Sequence, residues 1–364
     1  MDVQKRLELI TRNTEEVLTE EELRKKLHAG IKLRHYQGFE ISGLVHLGTG
    51  LASSIKIADF QKAKIDCKWF LADWHSWIND KLGGDLEVIK RAGAGYFKEG
   101  LKASLKCVGG DVEKIKFVLG SDLYHNNDRY WQTVINISKH STLNRMERSI
   151  TIMGRKLGGG MPFAWLIYPP MQAADLFELG VNITHAGIDQ RSAHVIAIDV
   201  ADKIKAEKPV AVHHHLLLGA QKPPVWPVKN VKEVLSEMKM SKSIPKTAIF
   251  IHDTPEEIKE KIAGAFCLPK DISFNPILDW TEWLIWPVLK ELEIKRPAKF
   301  GGTISFEDYK KLEKAYAEGK IHPLDLKNAV ADALINILEP ARKHFAQPRI
   351  KKMKEEFEAL KITR

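Results

Sequence analysis

Apolar and polar positions along this chain switch between two periods, and the switches mark the elements. Residues 2–28 space their leucines among charges, which predicts two short helices, the second opened by Thr19 with Glu22 at capping-box spacing. The run LRHYQGFEI from Leu33 to Ile41 is rich in aromatic and β-branched types and stops at Ser42-Gly43, so it predicts a strand and a turn. A helix over about 50–63 and a buried strand over 67–72, ending before Asp73, complete a β-α-β unit. The alternation continues with a helix at 86–106, a strand at 115–119, helices at 128–156 and 163–179, a strand at 181–186, a helix at 189–205 and a strand at 209–214. Strands joined through helices of this length predict an α/β fold: a Rossmann-like parallel sheet with helices on both faces.

After about residue 253 the strand signal stops. Thr254-Pro255-Glu256-Glu257 places a cap, a proline at the first helical position and a capping glutamate in register, and Leu326, Val330, Leu334, Ile337 and Leu338 form the apolar stripe of a helix opened by Pro323. The organisation read from the pattern is N-terminal helices over 1–30, a Rossmann-like domain over 31–253 with an insertion at about 120–160, and a mostly helical domain over 254–364. Gly158-Gly159-Gly160 reads as a flexible loop.

Composition narrows the function. With 364 residues, 44% hydrophobic and 28% charged, the chain buries a core without disulfides or structural metals. A formal charge of +9 points to a polyanionic partner, nucleic acid first. Cys67, Cys107 and Cys267 stand far apart, which leaves no paired-cysteine metal knuckle and fits a reducing cytoplasm. The first residues lack an apolar signal core and no run approaches a membrane span, so no membrane association is expected.

Two segments carry phosphate chemistry. Gly48-Thr49-Gly50-Leu51-Ala52-Ser53 lacks the last glycine of a dinucleotide fingerprint, and the preceding His46 lengthens the turn; no Walker A loop occurs, which removes the usual ATPases and GTPases. The stronger reading joins His46-Leu47-Gly48-Thr49 to Lys239-Met240-Ser241-Lys242-Ser243, about 190 residues later. A histidine and a glycine at a helix head let phosphates approach backbone N–H groups, and the lysines supply mobile positive charge. His213-His214-His215 is no metal site in this reading, because neighbours on a strand point to opposite faces.

These segments resemble the HIGH and KMSKS motifs of class I aminoacyl-tRNA synthetases. The second matches letter for letter; the first carries Thr49 where the family has its second histidine, which keeps a hydrogen-bonding hydroxyl and loses the ring. Three further stretches, 36–43, 168–175 (YPPMQAAD) and 187–191 (GIDQR), resemble the archaeal type of tyrosyl-tRNA synthetase to about Arg342. By that resemblance Tyr36 and Asp175 bind the substrate phenol, while Tyr168, Gln172 and Gln190 hold its amino end. His46, Gly48, Gly187, Asp189 and Lys242 bind ATP, and His46, Gly48, Thr49, Lys239 and Lys242 carry catalysis. The residues agree in kind: Gln172 and Asp175, three apart, share a helix face, and a buried carboxylate needs a donor that tyrosine has and phenylalanine lacks. Taken alone, Asp175 reads as a solvated helix residue and Tyr36 as a packed strand residue; the shared context favours a pocket.

The resemblance also implies ATP with Mg²⁺ borne by the nucleotide, no tightly bound protein metal, a homodimer joined through helices around 128–160, and tRNA(Tyr) as partner. Arg145, Arg148 and Arg191 would meet its acceptor end; Phe300, His322 and Asp325 would meet the anticodon. The tryptophanyl enzyme, with the same fold and chemistry, is the alternative substrate reading, and a non-acylating RNA-binding relative the alternative class. Residues 341–364 hold eight Lys and Arg against three Glu, a net +5 of the total +9, so much of the excess charge sits in the tail, read as a helix along the tRNA or a solubilising end.

Overall fold

In the computed structural model of the chain, residues 1–155, 160–225, 238–241 and 244–360 are described, with Val228 and Val234 between them. Lys156 to Gly159, and with them most of the expected glycine loop, lie outside the described residues.

Six strands form one sheet: β1 (Glu16–Leu18), β2 (Arg34–Phe39), β3 (Asp66–Leu71), β4 (Ile115–Leu119), β5 (Ile183–Gly187) and β6 (Val210–His214), in the order β1-β6-β5-β2-β3-β4. All neighbours are parallel except β1, which runs antiparallel to β6. The chain steps from β2 outward to β3 and β4, then returns to the other side of β2 with β5 and β6. That reversal opens a crevice at the carboxyl ends of β2 and β5, where doubly wound sheets bind ligands.

Helices cover both faces, as the alternation predicts. One core joins α1 (Val3–Thr11), α3 (Ser53–Lys62), α5 (Lys98–Cys107) and the C-terminal helices through Leu9, Phe60, Trp69 and Leu101. The other packs α6 (Asp128–Lys139), α8 (Ala164–Glu178) and α9 (Arg191–Ala201) on Tyr36 and Phe70. Between these helices come α2 (Glu20–His28), α4 (Asp73–Ile78) and α7 (Leu143–Ser149).

Four expectations are corrected. Glu16–Leu18 is an edge strand between the first two helices, so the sheet is mixed. Thr19 does not cap α2 with its side chain: it takes a left-handed conformation and its hydroxyl donates to Pro209 O at 2.9 Å, fastening the edge strand to the chain that enters β6. Strands also recur after residue 253, as the hairpin-like pair β7 (Leu292–Ile294) and β8 (Ile304–Phe306). The helix expected over 128–156 is broken: α6 ends at Lys139, and Thr142 caps α7. The Thr254 capping box forms with both of its bonds and opens α10 (Pro255–Ala263). The apolar stripe forms α11 (Pro323–Ile337), followed by α12 (Glu339–Phe345) and α13 (Pro348–Glu358). No helix among the described residues is long and apolar enough to cross a membrane.

Candidate active site

The first signature segment leaves the sheet after β2 and enters a wide helical turn, Gly48–Ala52, that runs into α3. Gly48 N–H donates to His46 Nδ1 at 3.1 Å, and His46 Nε2 lies 3.1 Å from Thr49 Oγ1. A ring nitrogen that accepts from a backbone N–H carries no proton, so the neutral imidazole donates from Nε2 to Thr49. The threonine at the place of the second histidine therefore orients the first.

The second signature segment is fastened beside it. Met240 N–H donates to Leu217 O at 2.6 Å, and Lys239 Nζ sits 2.9 Å from Asp189 Oδ2. Downstream, Leu47 N–H donates to Ile249 O at 3.0 Å and Ile251 N–H to Val45 O at 3.1 Å, so the chain leaving the second segment is zipped to the first. Gly187, at the end of β5, has no room for a side chain: a Cβ would lie 2.8 Å from Asp189 Oδ1 and from Leu216 Cδ2. Lys242 and Ser243 lie outside the described residues.

Apart from Asp175 and Lys242, every residue expected to hold tyrosine or ATP lines one cleft of about 420 Å³, a volume ordinary for a small-molecule site. Asp175 stands behind the wall, fully buried, with Tyr36 and His75 between it and the opening. Its Oδ1 accepts the hydroxyls of Tyr130 at 2.9 Å and Tyr124 at 3.0 Å, while among the described residues Oδ2 accepts only Tyr36, at 3.4 Å. Burial pushes the Asp175 carboxyl up to about 8, and the three hydroxyls pull it back toward the carboxylate. His75 is kept neutral by burial, with its pKa down to about 3; its Nδ1 lies 3.3 Å from the Tyr124 hydroxyl, and its Nε2 has no hydrogen-bond partner and faces Asp175 Oδ2 at 3.9 Å. One long bond on Oδ2 and one unpaired ring nitrogen leave acceptor capacity for a further O–H.

A second polar group sits along the same wall. Tyr168 O–H donates to Glu40 Oε1 at 3.0 Å, which also takes Asn79 Nδ2 at 2.7 Å. Gln172 Nε2 donates to Gln190 Oε1 at 3.3 Å, and Gln190 is anchored through Nε2 to Ile152 O at 3.0 Å. Gln172 Oε1 is buried without a partner, an omission that costs about 1–3 kcal/mol unless a ligand fills it. In a cleft that also presents the Glu40 carboxylate, the group that fits is a cation with several N–H donors.

Tyr124, Tyr130, His75 and Glu40 were not singled out by the sequence. Tyr124 and Tyr130 reach Asp175 across 51 and 45 residues, so no local spacing marks them. The only signal is generic: a buried tyrosine needs an acceptor.

None of the residues expected to meet nucleic acid lines the cleft. Arg145, on α7, pairs with Asp199 at 2.6 Å; Arg148 bonds Asn144 O; Arg191, at the head of α9, pairs with Glu16 at 2.8 Å. Phe300 is 61% exposed. His322 caps α11, whose first turn carries Asp325, and Arg296 bonds both Gly302 O and Lys320 O, tying the Phe300 turn to the chain before His322. The three consecutive histidines do point apart: His213 meets His194 and Glu16, His214 meets His185, and His215 meets Glu15 and Asp279. No metal-holding group of His, Cys, Asp or Glu occurs among the described residues.

Comparison with known proteins agrees with this geometry. The family model described as tRNA synthetases class I (W and Y) matches residues 29–339. A tyrosine–tRNA ligase of Thermococcus sibiricus is 57% identical over 359 residues, covering 95% of this chain and 96% of the relative. The crystal structure of a tyrosyl-tRNA synthetase from Pyrococcus horikoshii complexed with L-tyrosine superposes with a TM-score of 0.94 at 54% identity, over 98% of this chain and 100% of that one. A tryptophanyl-tRNA synthetase from Aeropyrum pernix, with a TM-score of 0.69 at 16% identity, shares the fold alone. With its signature turns, its sheet and its relatives in accord, the chain belongs to the class I tRNA synthetases, in the tyrosyl family of archaeal type.

Proposed function

We propose that the cleft performs both half-reactions of a tyrosine–tRNA ligase: tyrosine and ATP give tyrosyl-adenylate and pyrophosphate, and the tyrosyl group then passes to the 3′-terminal ribose of tRNA(Tyr). The observation that carries this reading is the pair of unsatisfied sites on one wall, the spare acceptor capacity at Asp175 and the orphaned Gln172 Oε1, three residues apart on α8. The phenol donates to Asp175 Oδ2, and the ammonium group takes Gln172, Tyr168 and Gln190. Asp175 stands behind Tyr36, so the Tyr36 hydroxyl shifts to share the carboxylate with the substrate.

The tyrosine carboxylate attacks the α-phosphorus and pyrophosphate leaves. A carboxylate is already a nucleophile, so catalysis rests on positioning and on charge placed against the leaving phosphates. His46 Nε2–H and the Gly48 N–H supply hydrogen bonds from one side, and Lys239 and Lys242 positive charge from the other. Asp189 holds the ATP ribose beside Gly187, which requires Lys239 to exchange its ion pair with Asp189 for a phosphate. Mg²⁺ arrives with ATP as part of the substrate.

On the tRNA side, Arg145, Arg148 and Arg191 trade their present partners for phosphates at the acceptor end. Phe300 stacks an anticodon base while His322 and Asp325 read its edge, which makes residues 254–364 the anticodon-binding domain and 31–253 the catalytic one. The exposed Ile135 and Leu143, 61% and 60% exposed, lie where the homodimer contact is expected. The enzyme works in the cytoplasm. Tyrosine-dependent pyrophosphate exchange, followed by transfer of labelled tyrosine to tRNA, tests the reading: both activities are expected, and exchange that runs with tryptophan instead would overturn it.

A further inference from the structure

The C-terminal helix does not behave as a free basic appendage. Along α13, Lys351, Lys352 and Lys354 pair with Glu355, Glu356 and Glu358 one turn on, which cancels most of its charge. Its apolar face is buried: Ile350 and Phe357 belong to the main core. Phe357 stacks on Tyr96, ring centroids 4.5 Å apart and 28° between planes, and Phe345 of α12 packs on both Tyr96 and His252. His344 fastens α12 to the catalytic face through Glu99 at 2.8 Å and Lys106 at 3.1 Å.

What Tyr96 does with its hydroxyl gives this packing a purpose. The hydroxyl accepts Val45 N–H at 2.9 Å and lies 3.1 Å from His252 Nε2. Burial keeps His252 neutral, and the positive charges of Lys354 and Lys261 push its pKa down in the same direction. Val45 N–H donates to the Tyr96 oxygen, which leaves the Tyr96 O–H to donate to His252 Nε2 in the tautomer protonated at Nδ1. Val45 is the residue before His46, and His252 follows the 249–251 segment zipped to Val45 and Leu47. A single buried phenol thus joins the root of the first signature turn to the exit of the second. The surroundings allow little slack, since a Cβ at Gly100 would lie 2.8 Å from Val45 Cγ2.

We propose that α13 is a brace for adenylate formation: Phe357 clamps the Tyr96 ring, and the Tyr96 hydroxyl holds Val45 and His252 so that the His46–Thr49 turn and the second signature segment keep the spacing that the phosphates of ATP require. Tyr96 is a positioning residue, and the role rests on the reading of the His46–Thr49 turn as the ATP site. Residues 348–360 then matter in the first half-reaction, before any tRNA is present.

The test is tyrosine-dependent pyrophosphate exchange on the full chain without tRNA, for Tyr96→Phe, Phe357→Ala and Phe357→Leu, with thermal melts beside it. Tyr96→Phe keeps the ring and its stacking, so it is expected to leave the melting temperature within a few degrees, to lower exchange kcat about 5- to 10-fold and raise the ATP KM, and to leave the tyrosine KM unchanged. Phe357→Ala should move the same parameters in the same direction, and Phe357→Leu should restore part of the loss. Wild-type exchange in Tyr96→Phe overturns the proposal, even if Phe357→Ala fails to fold. His46→Ala separates the two levels: if it too is silent, the ATP reading of the turn has failed; if it is inactive while Tyr96→Phe is normal, only the brace has.

Discussion

The two ends of the cleft are built on opposite principles. At the tyrosine end, side chains buried on β2, α4, α6 and α8 hold one another: three tyrosine hydroxyls close on Asp175, and Gln190 holds Gln172 in place. At the phosphate end the groups belong to turns, and their bonds include polar pairs open to exchange: His46 to Thr49, Lys239 to Asp189. The first arrangement is assembled before substrate arrives, and on the proposed reading it selects because a substrate lacking the phenol leaves a buried carboxylate short of a donor. The second must let cations change partners as charge moves from ATP onto pyrophosphate. Selectivity and catalysis therefore fail separately under substitution, and that separation can be tested.

The largest effect is expected at the phosphate end. His46→Ala should lower the pyrophosphate exchange rate by about 10²–10³-fold, the usual cost of removing a preorganised donor, while equilibrium binding of tyrosine changes less than about twofold. Parallel losses in both would merge the two ends into one unit. Next comes Gly38→Ala, since a Cβ there would overlap the Tyr36 hydroxyl. Displacing that ring should raise the tyrosine KM by about 10-fold or more, from overpacking of a rigid wall, with the ATP KM unmoved; an unchanged tyrosine KM would mean the wall yields.

A smaller effect separates orientation from charge. Thr49→Val removes the hydroxyl that meets His46 Nε2 and should cost about 5- to 10-fold in exchange rate, the worth of one neutral hydrogen bond. Thr49→Ser should restore it, and wild-type rates in Thr49→Val would show that the ring needs no such partner. The last effect falls on stability rather than on catalysis, at the seam of the cleft. His215 is bonded by Glu15 and by Asp279, at 2.6 Å from the latter, and stacks on Trp283. Burial, the largest single influence, opposes its charge, yet Asp279 and Glu15 together hold its pKa up to about 9. A folded-state pKa above the ordinary 6.5 means that this stabilisation is complete below about pH 6.5 and is lost as pH rises through about 9, on the order of 3 kcal/mol at most. Denaturant midpoints across pH 6–10 should fall more steeply in the wild type than in Asp279→Asn; equal slopes would remove His215 from the account.

The sequence disclosed what is local and repeated. The β-α alternation, the Thr254 cap and the two signature segments are patterns of adjacent residues, and among the described residues the structure builds the alternation and the cap nearly where they were read. Edge strand β1 was missed because three residues, Glu16 to Leu18, carry no periodicity; only pairing with β6 makes them a strand. Thr19 misled because its hydroxyl answers a carbonyl 190 residues away rather than its own helix. The proposed phenol site was half legible: Tyr36 and Asp175 belong to contiguous motifs, whereas Tyr124, Tyr130 and His75 come together only when the chain folds them around a single carboxylate. Charge alone said nothing of how the tail packs: Lys351, Lys352 and Lys354 face glutamates one turn on, and the buried Phe357 stacks on Tyr96.

The claim that the buried end selects and the turn end reacts is tested most directly by the ratio of kcat/KM for tyrosine over phenylalanine in pyrophosphate exchange, measured for the wild type and Asp175→Ala. Loss of the carboxylate should collapse the ratio by about 10²-fold or more, mainly through the tyrosine KM, with residual exchange still saturable by ATP at the wild-type KM. An unchanged ratio, or a loss confined to the ATP KM, would contradict the account.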